Sequence, residues 1–290
     1  MKILFPRHEI DKKKVESQYM EEHHAAKLQS HDCYTFDYDE FTMMGEKFIS
    51  NIPQADNDTP LMLRCNMIKV PQYEILYNLL KEKGYTLINS PEQYKNCHHF
   101  PESYDYTKEH TSKSIFIKKW NADILQDISD FFEGKSFLMK DFVKSAKGHD
   151  NNSLFEMPGG ITGEELLKKV EDFVEYRGED FVEGLVFKEF VDLKKYEDNV
   201  NEWRLFFYEK RLITCSQNSN LEPLECSAPN IKNAEEVASQ IDSNFFTIDI
   251  AEKEDGKWII IETGDGQVSD VSPGQNCLEF YISMEGLVKE

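Results

Sequence analysis

Hydrophobic and polar positions divide the chain into three differently patterned parts. Over the first hundred or so residues, short apolar runs alternate with helix-period stretches. KILF at 2–5, CYTF at 33–36, LMLRC at 61–65 and YTLINS at 85–90 read as strands. The charged segment from about Asp11 to Gln29 reads as a helix, as does PQYEILYNLLKEKG at 71–84, with Pro71 near its start and Gly84 at its end. This rhythm predicts a small parallel sheet. From about Ser112 the order changes to a strand IFIKK, a helix around Ala122–Phe132, a strand SFLMK and, after the NNSLFEMPGG loop, a helix GEELLKKVEDFVEYR. The last helix repeats its apolar face at Leu166, Leu167, Val170, Phe173 and Val174. From Val182 onward strands dominate, as consecutive hairpins with a closing helix. The expected organisation is an α/β lobe over 1–110, an α+β lobe over 111–190 and an antiparallel lobe over 191–290.

The hairpin FFTIDIAEKEDGKWIIIETGDGQVSD carries the most chemistry. Asp255-Gly256 is a strong two-residue turn signal. Counting outward from it sets Glu254 against Lys257 and Asp249 against Glu262. Residues opposed in this way share a face, roughly 5 Å apart. Two facing carboxylates repel, and the local sequence offers neither a cation. A divalent ion relieves the conflict, and Mg²⁺ favours one or two carboxylates with phosphate oxygens; Asp265 adds a further candidate oxygen. A solvent-facing pair of acids fits the spacing equally well.

Lys140 ends an apolar strand and leads into a loop with Lys144 and Lys147, a local positive island suited to a polyphosphate or an ordinary solvated loop. No G-x-x-x-x-G-K-[ST] loop is present. In EWRLFFYEKRLITCSQN, a turn at Glu209-Lys210 places Glu202, Arg204, Cys215 and Gln217 on one face, a phosphate or substrate surface or a surface ion pair. The pairs His23-His24 and His98-His99 point their rings apart and make poor chelates. No Ser/His/Asp arrangement supports hydrolase chemistry.

Composition narrows the partners. The 290 residues carry a net charge of -21, which disfavours a nucleic-acid or anionic-membrane surface but leaves room for a nucleotide. The six cysteines include no C-x-x-C pair and read as reduced thiols. No run approaches the roughly 20 apolar residues of a membrane span. The expectation is a cytoplasmic protein.

The order of these pieces resembles the ATP-grasp superfamily, in which nucleotide lies between two α+β lobes, here preceded by the small α/β lobe. The chain looks most like its R2K clade. The likeness is carried by LMLRCNMIKVPQYEILYNLLKEKGYTLINSPEQYKNCHHFPESY, FLMKDFVKSAKG, FKEFVDL, EWRLFF and FFTIDIAEKEDGKWIIIETGDGQVSD. A more distant likeness is to cell-division-cycle ATP-grasp chaperones that assemble a translation initiation factor. The resemblance implies ATP and Mg²⁺ as cofactors. It implies that Lys140 meets the phosphates with Lys113, Lys144 or Lys188. The backbone of Glu189, Phe190 and Val191 would meet adenine, and Asp192 the ribose. Arg204 would face the γ-phosphate, and Asp249, Glu262 and Asp265 the metal. Arg64, His98 and Gln267 would lie toward substrate. Many ATP-grasp ligases place asparagine two residues after the bridging glutamate; here that position is Gly264. The implied activity is ligation of a carboxylate, through an acyl phosphate, to an amine, with a peptide or protein as acceptor. The alternative is an ATP-binding assembly module for a partner protein.

Overall fold

A computed structural model describes residues 1–43, 48–56, 58–143, 155–218 and 224–288. The first sheet is parallel throughout, in the order β2 (Asp32–Phe36), β1 (Lys2–Pro6), β3 (Thr59–Leu63), β4 (Tyr85–Leu87). Its helices are α1 (Met20–Leu28), α2 (Tyr38–Thr42), α3 (Val70–Glu82), α4 (Pro91–His98) and α5 (Phe100–Thr107). The expected helix from Asp11 does not form. Arg7 bridges to Val15, and Glu16 N–H donates to Pro6 O at 2.9 Å, so this stretch folds back along the strand end and α1 begins only at Met20. Helix α4 escaped the pattern reading, although its start is written in the sequence. Ser90 accepts from Gln93 N–H while the Gln93 side chain accepts from Ser90 N–H, with Pro91 in the first turn.

The second sheet is antiparallel, with β5 (Ser114–Ile117), β8 (Leu185–Glu189), β6 (Phe137–Asp141) and β7 (Glu156–Met157) side by side. One face packs on α6 (Ala122–Phe131) and α7 (Gly163–Arg177), burying Leu125, Ile128, Phe137, Leu166, Val170 and Phe173. Gly163 lets the two helices approach, since a Cβ there would lie 2.1 Å from Ala122 O. The other face of the sheet carries Lys140 and Lys188, because positions two apart share a side.

A short ribbon of β9 (Lys195–Tyr196) and β10 (Asn199–Val200) precedes the third sheet. That sheet is antiparallel in the order β12 (Arg211–Gln217), β11 (Glu202–Tyr208), β13 (Phe245–Glu252), β14 (Trp258–Asp265). Helix α8 (Lys232–Gln240), absent from the pattern reading, buries Ala234, Val237 and Ala238 against it. The closing helix α9 (Cys277–Val288) packs on α1, and Phe280 and Tyr281 join Ile3, Phe5 and Phe206 in one core. The first and third sheets are therefore bound through a shared interior.

Arg64 lies in that interior at 1% exposure. Its Nε and Nη2 donate to the two oxygens of Glu22 at 2.8 and 2.9 Å, Nη2 also donates to Ser269 O at 2.9 Å, and Nη1 donates to Gly266 O. Tyr281 donates to Glu22 at 3.1 Å. Breaking a buried pair strands a charge. Arg64→Leu is expected to cost about 3–5 kcal/mol in urea unfolding, and adding Glu22→Gln to recover part of it. A loss below about 1 kcal/mol would fit a rim ion pair instead.

Candidate active site

Strands β13 and β14 set the acids of the site. Asp249 and Glu262 are direct partners, as expected, but the path to that register differs. The turn holds three residues, Glu254 to Gly256, with Lys253 N–H donating to Lys257 O at 2.8 Å and Gly256 at φ +78°. Lys253 therefore faces Lys257, one step off the expected pairing, and a bulge at Ile261 restores it before Glu262.

The cations come from distant sequence. Arg204 grips Asp249 with Nε–Oδ1 2.9 Å and Nη2–Oδ2 2.7 Å, while Nη1 donates to Asp270 O at 3.0 Å. Lys140 reaches Glu262 from the second sheet at 3.5 Å. Lys188 donates to the carbonyl of the bulged Ile261 at 2.5 Å. Both lysines sit over the Phe100 ring, at 5.7 and 5.5 Å from its centre. Burial pushes the Lys188 amine down to about 7, with Lys140 adding and Glu262 opposing.

Beside Arg204 and the acidic pair lies a cavity of about 390 Å³, lined by Arg204, Thr247, Asp249, Glu262, Gly264 and Asp270 among others; Lys140 and Lys188 reach Glu262 and Ile261 without lining it. Gly264 faces Thr247, and a Cβ there would meet Thr247 Oγ1 and Ser269 Oγ at 2.9 Å each. A second chamber of about 310 Å³ adjoins it through shared walls at Met67, His98 and Asp270. It adds Lys69, His99, Arg177 and Asp180.

Several expected residues stand elsewhere. Lys113 points to the helix side of its sheet, 4.1 Å from the centre of the Phe131 ring, and pairs with Glu133 at 3.2 Å. Asp265 is fully buried and held by Asn89 and by Gln267 N–H at 2.8 Å, and burial pushes it up to about 7 against those bonds. Gln267 is also buried, donating to the Tyr73 hydroxyl at 2.7 Å and accepting from Leu63 N–H at 3.3 Å. Arg64 is tied to Glu22 as described. None of these four lines either chamber. Glu189 to Asp192 form the crossing between the second and third sheets and line neither chamber; Glu189 pairs with Lys135 at 2.9 Å. Cys215 and Gln217 also change sides. A bulge at Ile213 sets Arg204 opposite Ser216, so Cys215 faces Leu205 and Gln217 faces Trp203. Lys144 and Lys147 lie outside the described residues.

Comparison with known proteins fits this architecture. The family model for the ATP-grasp domain, R2K clade family 3, matches residues 99–284. The chain belongs to this family. A search of curated proteins finds no significant match. Among solved structures, the ATP-grasp fold of this R2K protein is similar to macrocyclase MdnC from Microcystis aeruginosa bound with precursor peptide MdnA. That match has TM-score 0.58 and 13% identity and covers 100% of each chain. It is similar to the ATP-grasp ligase PsnB complexed with minimal precursor, Mg and ADP, at TM-score 0.58, 13% identity and 99% and 98% coverage. It is also similar to D-alanyl-alanine synthetase A from Vibrio cholerae, at TM-score 0.60, 12% identity and 100% and 99% coverage. These structural neighbours are ligases, and the likeness covers the whole R2K chain.

Among the described residues, no group of three His, Cys, Asp or Glu gathers as a self-sufficient metal site. Two opposed carboxylates beside three cations nevertheless suit an ion that completes its shell with phosphate oxygens. The two chambers add Thr247, Asp270, His99, Arg177 and Asp180 to the residues the sequence points to. Thr247 was legible as Asp249 minus two on one strand face; the others are brought in by loops and helix ends.

The depressed Lys188 amine gives a pH signature. Between about pH 7 and the ordinary lysine value of 10.5, the unfolded chain holds a proton that the folded chain lacks, so stability rises with pH. In urea unfolding at pH 7 and pH 9, the wild type is expected to gain on Lys188→Met as pH rises. Parallel responses would place the amine in a water-like setting.

Proposed function

We propose that this protein is an ATP- and Mg²⁺-dependent ligase that joins a carboxylate to an amine. The observation that carries the reading is the facing pair Asp249 and Glu262, answered by Arg204, Lys140 and Lys188 where the second and third sheets meet. In this reading a carboxylate oxygen attacks the γ-phosphorus of ATP and ADP leaves. The amine nitrogen then attacks the carbonyl carbon of the acyl phosphate, inorganic phosphate leaves and the nitrogen loses a proton. Lys140 and Arg204 stabilise charge that grows on the transferred phosphoryl group, in a cavity that limits competing water. Asp249 and Glu262 would hold the magnesium ion, which supplies further charge neutralisation when bound. Glu189 to Val191 would meet the adenine edge and Asp192 the ribose. His98, on the wall shared by the two chambers, would lie toward the acceptor. The neighbours' precursor peptides support a peptide or protein as one substrate.

Incubation with ATP, Mg²⁺ and pooled amino acids or peptides is expected to release ADP and phosphate together. Nucleotide binding without turnover, alongside a co-purifying protein, would favour the assembly-module reading. Glu262→Gln is expected to weaken Mg²⁺-dependent ATP binding at least tenfold in calorimetric titration, and Glu254→Gln, in the turn, to leave it unchanged. Equal effects would sink the metal assignment.

A further inference from the structure

We propose that Phe100 is a positioning residue whose ring gathers Lys140 and Lys188 and aims both amines at the β14 bulge beside Glu262. The purpose of that arrangement rests on the ligase reading, but the contacts that argue for it do not. Lys140 on β6 faces Val186, and Lys188 on β8 faces Leu138, so the two lysines sit diagonally on one side of the sheet. Diagonal neighbours on adjacent antiparallel strands stand roughly 7–8 Å apart. Two long cationic side chains at that spacing repel, and each has enough rotatable bonds to swing away into water. Here they converge instead. Lys140 reaches Glu262 at 3.5 Å, Lys188 donates to Ile261 O at 2.5 Å, and both amines lie over one ring, 5.7 and 5.5 Å from its centre. Glu262 answers the first charge, whereas the carbonyl that receives Lys188 is neutral. The face of an aromatic ring carries negative potential and attracts ammonium groups without bringing in a charge of its own. A carboxylate in its place would add negative charge where, on the ligase reading, the triphosphate lies.

The ring is fixed well enough to serve as a platform. Phe100 opens α5, is 7% exposed and packs with Phe142 and Val186. Its ring stacks on Tyr104, with centres 5.4 Å apart. Its N–H donates to Phe142 O at 2.8 Å, which pins it to the chain two residues after Lys140. Just before it, Cys97 O accepts from Thr263 Oγ1 at 2.9 Å, and Thr263 follows Glu262 directly. Phe100 is thus tied to the strand of Lys140 and, through the end of α4, to the strand of Glu262. The lysines gather where α5 meets both sheets, so the cationic side of the site depends on the docking of the first sheet's helices. Burial and then the Lys140 charge lower the Lys188 amine, in keeping with two amines close enough to feel each other.

The test places phenylalanine bearing one, two or three ring fluorines at position 100, which drains the ring face in steps while nearly keeping its shape. Urea unfolding of the nucleotide-free protein is run at pH 6, below the Lys188 value of about 7, so that this amine carries its proton. Stability is expected to fall stepwise with fluorine number, and each step to shrink in a Lys140→Met/Lys188→Met background. Equal responses in the two backgrounds would make Phe100 a core filler and overturn the proposal. Calorimetric titration with MgATP supplies the positioning readout. The Kd is expected to rise with each fluorine, by at least about fivefold at the third, with urea midpoints verifying that each protein is folded. A Kd indifferent to fluorination would also overturn the proposal. Absence of MgATP binding by the wild type would overturn the ligase reading alone, because the nucleotide-free comparison still decides whether the ring holds the lysines.

Discussion

Two carboxylates set face to face on adjacent strands are the constraint around which this molecule is arranged. Asp249 and Glu262 are fixed by backbone pairing and cannot swing apart without breaking the ladder. Their repulsion has to be met by charge from elsewhere, and it is. Arg204 comes from the neighbouring strand, Lys140 from another sheet, and Lys188 takes the carbonyl beside Glu262. The acidic pair therefore also joins the second sheet to the third, through contacts that a polyanion would rearrange.

The register that makes the pair is protected from both ends. At one end the bulge at Ile261 offsets the three-residue turn, and without it Glu262 would present its side chain to the opposite face. At the other end, the Gly-Asp-Gly-Gln loop is stitched into the first sheet. Asn89 accepts from Asn244 and Phe245 N–H at 2.9 and 3.0 Å and donates to Asp265, while Gln267 joins Leu63 and Tyr73. Asp265 and Gln267 are thus the footing of the site rather than its surface. This also explains why the loop is so rich in acceptors: they face inward, toward buried donors that would otherwise be unpaired.

What was readable in the sequence follows from the range of the interactions. The parallel first sheet, the α6 and α7 helices and the opposition of Asp249 to Glu262 rest on local periodicity and turn chemistry, and all are present. Bulges leave no comparable mark. The one at Ile261 happened to cancel a misjudged turn length, whereas the one at Ile213 moved Cys215 and Gln217 to the wrong side of Arg204. Lys113 was avoidable, since strand alternation puts it with Ile115 on the helix side. Arg64 was not, because its partners Glu22, Gly266 and Ser269 lie 42 to 205 positions away. The family likeness supplied the long-range grouping of Lys140, Arg204, Asp249 and Glu262 that spacing alone left open.

On the ligase reading, a chain of net charge -21 has to solve a steering problem, since its general field repels a triphosphate. The site answers with cations that are balanced in the free protein rather than bare. Arg204 and Lys140 are held by the carboxylates the metal would claim, and the Lys188 amine, lowered to about 7, is only partly protonated at neutral pH. On the ligase reading, metal and nucleotide then enter as an exchange of partners. The carboxylates pass from arginine and lysine to the metal, and the released cations, with a reprotonated Lys188, pass to the phosphates. Each step swaps one matched pair for another, so no buried charge is left alone at any stage. On that reading nucleotide and metal would bind as a coupled pair, because either ligand alone would strand the groups that the other satisfies.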